Sequence, residues 1–254
     1  MEKMPLKNYT IRKCIYCGAV NDKLSREHVI PFGLNGEIVL QKASCDDCAK
    51  LTSQFERNVL KGQLQQIRAG LGLKTRRIHP KTFPTTMEIA GEKRSVDLPV
   101  EEYGAMTILP TFRMPAFLDN RESLHGTLDI LGVIMLRITG PDISILHKKY
   151  NAKSIDFRVD FNPGDYIKLL TKIAYGYAVL VYGVDAFEDN YALAIILGNT
   201  DEIDKWVGSE PSTIGNEDIF INLEKSGRKI IAKIRLFGTR KVPTYIVVVG
   251  TLKE

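Results

Sequence analysis

The chain has 254 residues, of which 44% are hydrophobic and 26% charged. This composition is typical of a folded protein with one large domain or two modest ones, and it excludes an intrinsically disordered chain. No run reaches the roughly 18 uninterrupted apolar residues of a membrane span, and the first five residues lack a signal peptide's apolar core, so we expect a cytoplasmic protein without a membrane partner.

The net charge of +5 is concentrated at the N-terminal end. Residues 1–84 contain 15 Lys and Arg against 7 Asp and Glu, whereas residues 85–254 contain 20 against 23. A basic segment favours a polyanionic partner, because neutralising phosphates releases their counterions. The alternative is a basic surface that serves solubility alone.

The four cysteines form two C-x-x-C pairs, Cys14 with Cys17 and Cys45 with Cys48. Thiols stay reduced in the cytosol, so two such pairs predict a structural zinc ion held by four thiolates. The open alternatives are an iron–sulfur cluster, which the lack of further clustered cysteines disfavours, and two disulfides in a secreted protein.

A helix is predicted directly after the second cysteine pair, at residues 49–60. Its apolar residues Leu51, Phe55 and Val59 recur at helical spacing, and Gly62 is the first helix breaker. Residues 70–84 are rich in Gly, Pro and basic residues and predict an irregular connector. We therefore place a domain boundary near Pro84, between a first domain of residues 1–84 and a second of residues 85–254.

The second domain is predicted to be α+β, with a mostly antiparallel sheet packed on one long helix. Asn162 and Pro163 predict the start of that helix, and apolar residues from Tyr166 to Val181 recur three and four positions apart. A short helix is expected at residues 201–207. Strands are predicted at residues 86–90, 95–98, 105–109, 127–138, 154–161, 191–197, 218–223, 229–236 and 244–249.

Between the cysteine pairs lies an acidic residue followed by histidine, two apolar residues and proline. The whole pattern reads Cys14-x-x-Cys17, Glu27-His28-Val29-Ile30-Pro31, Gly33-Leu34-Asn35-Gly36, Cys45-x-x-Cys48 and then a helix. In this order and spacing, residues 10–80 resemble the HNH endonuclease family of the zinc-knuckle, ββα-metal type. The resemblance covers about a third of the chain.

The resemblance implies an N-terminal ββα-metal fold and a metal-dependent endonuclease or nickase. It implies that His28 is the general base on water and that Glu27, the second catalytic residue, ligates a catalytic Mg2+ or Mn2+ ion. These residue types suit the chemistry, since histidine titrates near neutrality and a carboxylate favours a hard cation. Phosphodiester hydrolysis needs both an activated water and positive charge at the phosphate.

One position departs from the family pattern. The residue after the fourth cysteine, commonly His or Asn in the family, is Ala49 here and cannot ligate a metal. Thr52, Ser53 and Glu56 share its helix face, and Glu56 is the preferred replacement ligand, with Thr52 as a further candidate. The alternatives are a metal shell completed by water and phosphate, or a protein that has lost catalysis.

Seven basic residues around the motif are the predicted nucleic-acid contacts. They are Arg26, Lys42, Lys61, Arg68, Lys74, Arg76 and Arg77. Phosphate contacts of this kind position a protein on nucleic acid without reading its sequence. For the pair at residues 76–77 the alternative is a solvated linker.

The leading hypothesis is a DNA endonuclease, set in anti-phage defence or a mobile element because its host must restrain it. The alternatives are an inactive, zinc-dependent nucleic-acid-binding protein and an RNA nuclease. Residues 85–254 carry no motif tied to chemistry, so regulation, target selection or dimerisation is expected of them. A homodimer or a regulatory protein partner would follow.

Overall fold

The computed structural model describes residues 9–211 and 214–254; the first five residues, to which the signal-peptide prediction applies, lie outside them. The described chain begins with a small three-stranded sheet. Its strands are β1 (Tyr9–Thr10), β2 (Ser25–His28) and β3 (Val39–Ser44), in the order β1-β3-β2. Strand β3 is parallel to β1 and antiparallel to β2.

Helix α1 (Asp46–Lys61) follows β3 directly. It begins three residues before the predicted start, because Cys45 has an extended backbone and acts as the N-cap. Asp46 and Asp47 fill the first turn, where carboxylates interact favourably with the positive end of the helix. The cysteine pairs therefore lie in the turn before β2 and at the junction of β3 with α1.

The next elements form a second layer. They are α2 (Gln65–Gly70), β4 (Thr82–Ile89), β5 (Glu92–Pro99), α3 (Val100–Tyr103), β6 (Met106–Phe112), β7 (Ile130–Arg137), α4 (Ile143–Tyr150) and β8 (Ala152–Asp156). Strands β5, β4 and β8 make one sheet in that order, and β6 pairs with β7. The predicted boundary residue Pro84 lies within β4, opposite Asp97 of β5.

A long helix and a five-stranded antiparallel sheet complete the described chain. They comprise α5 (Pro163–Tyr182), β9 (Phe187–Asn190), α6 (Tyr191–Leu197), α7 (Ile203–Trp206), β10 (Val207–Glu210), β11 (Ile219–Ser226), β12 (Lys229–Leu236) and β13 (Thr244–Leu252). The sheet order is β10-β13-β12-β11, with β9 also paired to β13. The predicted long helix is confirmed, and the Asn162 side chain caps it by accepting from the amide of Asp165. The α+β class is confirmed as well.

The predicted strand at residues 191–197 is wrong, because this segment is helix α6. The run is apolar throughout, so it lacks the alternation of a half-buried strand, and its Ala and Leu residues favour a helix. The Asn190 side chain accepts from the Leu193 amide at one end, and Gly198 adopts a left-handed conformation at the other. These two caps decide the structure of the segment.

The predicted strand at residues 154–161 is only partly correct, since β8 ends at Asp156. Beyond Asp156, side chains form hydrogen bonds with the backbone carbonyl and amide of Arg158. The Tyr103 hydroxyl donates to its carbonyl and accepts from its amide, and the Gln66 amide donates to the same carbonyl.

Helix α5 lies at the centre of the main hydrophobic core. This core includes Leu40 and Phe55 from the N-terminal unit together with Leu170 on α5 and Val247 on β13. The two predicted domains therefore share buried surface. None of the helices in the described ranges is long and apolar enough to cross a membrane.

Candidate functional site

The four cysteine thiols converge at the end of β3. Their Sγ atoms all lie within 4.8 Å of one another, and those of Cys17 and Cys45 are 3.6 Å apart. A tetrahedral zinc ion with Zn–S bonds of about 2.3 Å separates its sulfur ligands by about 3.8 Å. The cluster therefore fits a structural metal ion such as zinc.

Backbone groups and burial give the thiols unequal acidities. Burial alone would raise the pKa of Cys14, but backbone hydrogen bonds outweigh it and lower the pKa to about 7. Burial and the neighbouring thiols raise the pKa of Cys48. A bound cation would offset the repulsion among four thiolates so close together, which is a second reason why the cluster fits zinc.

Glu27 and His28 lie on opposite faces of strand β2, because successive side chains in a strand alternate between its two faces. Glu27 is 8% exposed and points into the core, opposite Leu40 of β3. His28 is half-buried, and its ring lies edge-on to that of Phe32 at a centroid distance of 6.1 Å. The carboxylate and the imidazole therefore have different surroundings although they are adjacent in sequence.

The surroundings of His28 favour its neutral form. Burial lowers its pKa, and the positive charges of Lys172 and Arg26 lower it further. A neutral imidazole accepts a proton, which is what a general base must do.

A buried lysine fills the space between Glu27 and Glu56. Lys172 lies on α5 with 1% of its side chain exposed, and its Nζ is 2.6 Å from an Oε1 of each carboxylate. The contact with Glu56 is an ion pair without hydrogen-bond alignment. The same Nζ donates a 2.5 Å hydrogen bond to the backbone carbonyl of His28.

This arrangement keeps a positive charge in the core. Burial alone would lower the pKa of Lys172, but the carboxylates of Glu27 and Glu56 outweigh it and hold the pKa above its ordinary value. Burial raises the pKa of Glu27, and the adjacent ammonium opposes that rise. The described residues do not fit a Mg2+ or Mn2+ ion between the two carboxylates, because an ammonium already holds that place and would repel a second cation.

The replacement ligands predicted for Ala49 have different surroundings. Thr52 is buried, and its hydroxyl donates to the carbonyl of Ala49 at 3.3 Å. Ser53 is exposed, whereas Glu56 is partly exposed and paired with Lys172. Of these candidates, Glu56 is the one that meets Glu27, through the ammonium of Lys172.

Arg68 differs from the other predicted nucleic-acid contacts because it is buried. Its guanidinium donates to the carbonyls of Gly33, Leu60 and Lys74 at 2.7, 2.7 and 3.1 Å. These bonds tie the loop after His28 to the end of α1 and to the basic connector. Three of the five guanidinium N–H groups are therefore used to hold the site together, and the side chain forms part of the wall of a groove.

Replacing Arg68 by alanine is expected to lower the free energy of unfolding by about 3 kcal/mol, because three carbonyls lose a charged donor. Urea denaturation measures this change. Arg57→Ala is the matched control, since Arg57 is exposed on α1 and its loss should cost less than about 0.5 kcal/mol. Equal effects in the two variants would contradict the role of Arg68.

The remaining predicted contacts are exposed, and most of them surround one groove. Arg26, Lys42, Lys61, Lys74, Arg76 and Arg77 all have exposed side chains. The groove has a volume of about 510 Å³, and Ser53 and Glu56 are among the residues that line it. Four of the six basic residues line it as well, namely Lys61, Lys74, Arg76 and Arg77. Phe32, the ring neighbour of His28, lines the same groove. We call these four residues the basic rim.

The other three histidines pair with groups other than Glu27 and His28 in the described ranges, although His79 lines the groove. His79 and His147 each pair a ring nitrogen with a backbone carbonyl at 2.7 Å, and His125 lies 3.4 Å from Asp201 on the surface. These contacts are those of structural or surface histidines.

Lys172 is the site residue that the sequence reasoning missed. Its only signal is a lysine on a helix whose neighbours Thr171, Ile173 and Ala174 are all buried. Lysine is rarely fully buried without a partner, so such a position predicts a carboxylate nearby. It does not reveal which carboxylate.

Comparison with protein-family models, with curated proteins and with solved structures found no match for this chain.

Proposed function

We propose that this chain is a nuclease that hydrolyses phosphodiester bonds in DNA, with His28 as the general base. The observation that carries the proposal is the position of His28, a half-buried histidine whose ring lies edge-on to Phe32, which lines the groove with the basic rim. The HNH-like motif supports the same assignment. The zinc ion at the cysteine cluster would stabilise the fold and take no part in the chemistry.

The proposed reaction is the attack of a water molecule on the phosphorus of the phosphodiester. The imidazole of His28 takes a proton from water as the water oxygen bonds to phosphorus. The bond from phosphorus to the 3′ oxygen then breaks, and the leaving oxygen takes a proton from solvent. The basic rim supplies positive charge to the phosphate on which negative charge develops.

Plasmid cleavage tests the role of His28. Zinc-loaded wild type is expected to convert supercoiled plasmid to nicked or linear DNA, and His28→Ala should do so about 100- to 10,000-fold more slowly. His147→Ala is the control, because His147 contacts only a backbone carbonyl on a distant strand. Equal rates for wild type and His28→Ala would remove His28 from the chemistry.

The choice of substrate needs a second comparison. RNA and DNA of the same sequence, supplied to the same enzyme, separate a DNA nuclease from an RNA nuclease. Preferential cleavage of RNA would replace the proposed substrate.

Replacing Arg76 and Arg77 by alanine is expected to weaken DNA binding without changing the fold, because both are exposed on the groove. Each lost phosphate contact should reduce the slope of log K against log salt by about 0.9. Fluorescence anisotropy at several salt concentrations measures the slope. The matched control is Lys93→Ala with Arg94→Ala, two exposed basic residues on β5; a slope unchanged in Arg76→Ala/Arg77→Ala would exclude this rim as a phosphate contact.

A second function is favoured by the pairing of Glu27 and Glu56 with Lys172. A protein whose carboxylates are already neutralised could bind nucleic acid through its rim without cleaving it. Salt-dependent DNA binding combined with no cleavage of either nucleic acid would support that alternative.

A further inference from the structure

The ammonium of Lys172 has the coordination that a bound cation would have. Three oxygens surround it, from Glu27, Glu56 and the backbone of His28, at 2.5 to 2.6 Å. The ammonium donates a hydrogen bond to the carbonyl of His28 and forms ion pairs with the two carboxylates. A magnesium ion binds its oxygen ligands at about 2.0–2.1 Å and keeps several waters, so it would need the space that Nζ occupies between the two carboxylates.

Contacts on either side of Lys172 hold its helix in place. The Tyr175 hydroxyl donates a 2.5 Å hydrogen bond to the carbonyl of Ile15 in the first cysteine turn. About two turns before Lys172, Asp165 accepts a 2.8 Å hydrogen bond from Asn58 of α1. These bonds fix the position of α5, from which the buried side chain of Lys172 reaches the two carboxylates.

Lys172, Glu27 and Glu56 form an ion-pair trio, and the lysine changes the net charge of the site. One ammonium and two carboxylates leave a net charge of about one negative, compared with two negatives without the lysine. Their mutual repulsion and their repulsion of a phosphate are both reduced. The hydrogen bond to the His28 carbonyl also fixes the strand that carries the imidazole.

We propose that Lys172 is the resident cation of this site. It takes the place that a divalent ion has in the nucleases that the motif resembles, and it positions His28 through the backbone carbonyl. The positive charges of the basic rim then neutralise the scissile phosphate. Cleavage therefore requires no divalent ion at Glu27. The catalytic part of this inference rests on the proposed function, whereas the occupation of the carboxylate pair does not.

Manganese binding tests the occupation directly. Zinc-loaded wild type, titrated with Mn2+ and followed by the electron paramagnetic resonance of the free ion, is expected to show no site with a submillimolar Kd. Lys172→Ala should gain one such site, and Lys172→Ala/Glu56→Gln should lose it again. A wild-type site that disappears in Glu27→Gln or Glu56→Gln would overturn the proposal, and this arm does not depend on the folding of Lys172→Ala.

Metal rescue tests the catalytic part. Wild type without added divalent ions is expected to cleave plasmid as fast as it does with Mg2+ or Mn2+. Lys172→Ala should lose about 100-fold in rate, as a misplaced catalytic group does, and should recover at least tenfold when Mn2+ is added. A lysine with only a structural role would not make the enzyme respond to metal.

The two readouts separate this inference from the proposed function. Cleavage by wild type only in the presence of Mg2+ or Mn2+, abolished in Glu27→Gln, would overturn the inference and leave the nuclease assignment intact. Absence of cleavage under every condition would refute the proposed function and, with it, the catalytic part, while the manganese titration would still decide whether Lys172 holds the cation's place.

Discussion

Replacing Lys172 by methionine is expected to lower the free energy of unfolding by about 3–5 kcal/mol. The substitution keeps most of the side-chain volume but leaves the carboxylates of Glu27 and Glu56 close together in the core without a counter-charge. Removing one partner of a buried ion pair lowers stability more than replacing both partners, because the remaining charge stays buried without a counter-charge. Urea or thermal unfolding, with zinc content checked for each protein, measures the loss.

Two further variants make this expectation specific. Lys168→Met changes a partly exposed lysine one turn earlier on α5 and should shift stability by less than about 0.5 kcal/mol. Lys172→Met/Glu27→Gln/Glu56→Gln removes all three charges and should recover at least half of the loss. A loss below about 1 kcal/mol in Lys172→Met would show that the ion-pair trio adds little to stability.

Removing zinc is expected to unfold the N-terminal unit. Four thiols converge near the junction of β3 and α1, and structural zinc sites contribute about 10–16 kcal/mol of apparent binding free energy at neutral pH. Without the ion, strands of two to six residues would depend on their packing in the shared core alone. Circular dichroism and zinc content, followed during titration with a strong chelator, should change together.

Cys45→Ser should reproduce the effect of the chelator because it removes one of four ligands, whereas serine remains a favourable N-cap for α1. Ser95→Ala, an exposed change on β5, is the control. A folded Cys45→Ser protein that contains no zinc would contradict a stabilising role for the metal.

Local sequence patterns predicted the parts of the fold that depend on local interactions. Asn162 and Pro163 mark the start of α5 because capping and the fixed φ angle of proline act within one turn. The cysteine cluster was predictable because two knuckles at short spacing have few alternatives. The segment at residues 191–197 was not, since a short apolar run is compatible with a strand or a helix, and its caps decide between them.

Residue spacing alone does not identify Lys172 as the ion-pair partner of Glu27. Glu56 was selected from the helical periodicity that follows Ala49, and the structure does bring it to Glu27. Lys172 lies on another element, and its approach depends on how α5 packs against α1. Interactions between elements far apart in the chain depend on tertiary packing, which no local pattern encodes.

The bond between Lys172 and His28 joins residues separated by 144 positions, and this separation has a consequence for biosynthesis. At about 5–20 residues per second, a ribosome needs roughly 7–30 seconds to add the residues between them. A nascent chain can therefore gather its cysteines long before α5 exists. During that interval its acidic pair has no internal counter-ion, so the newly made protein passes through a stage in which its site is chemically different from that of the finished molecule.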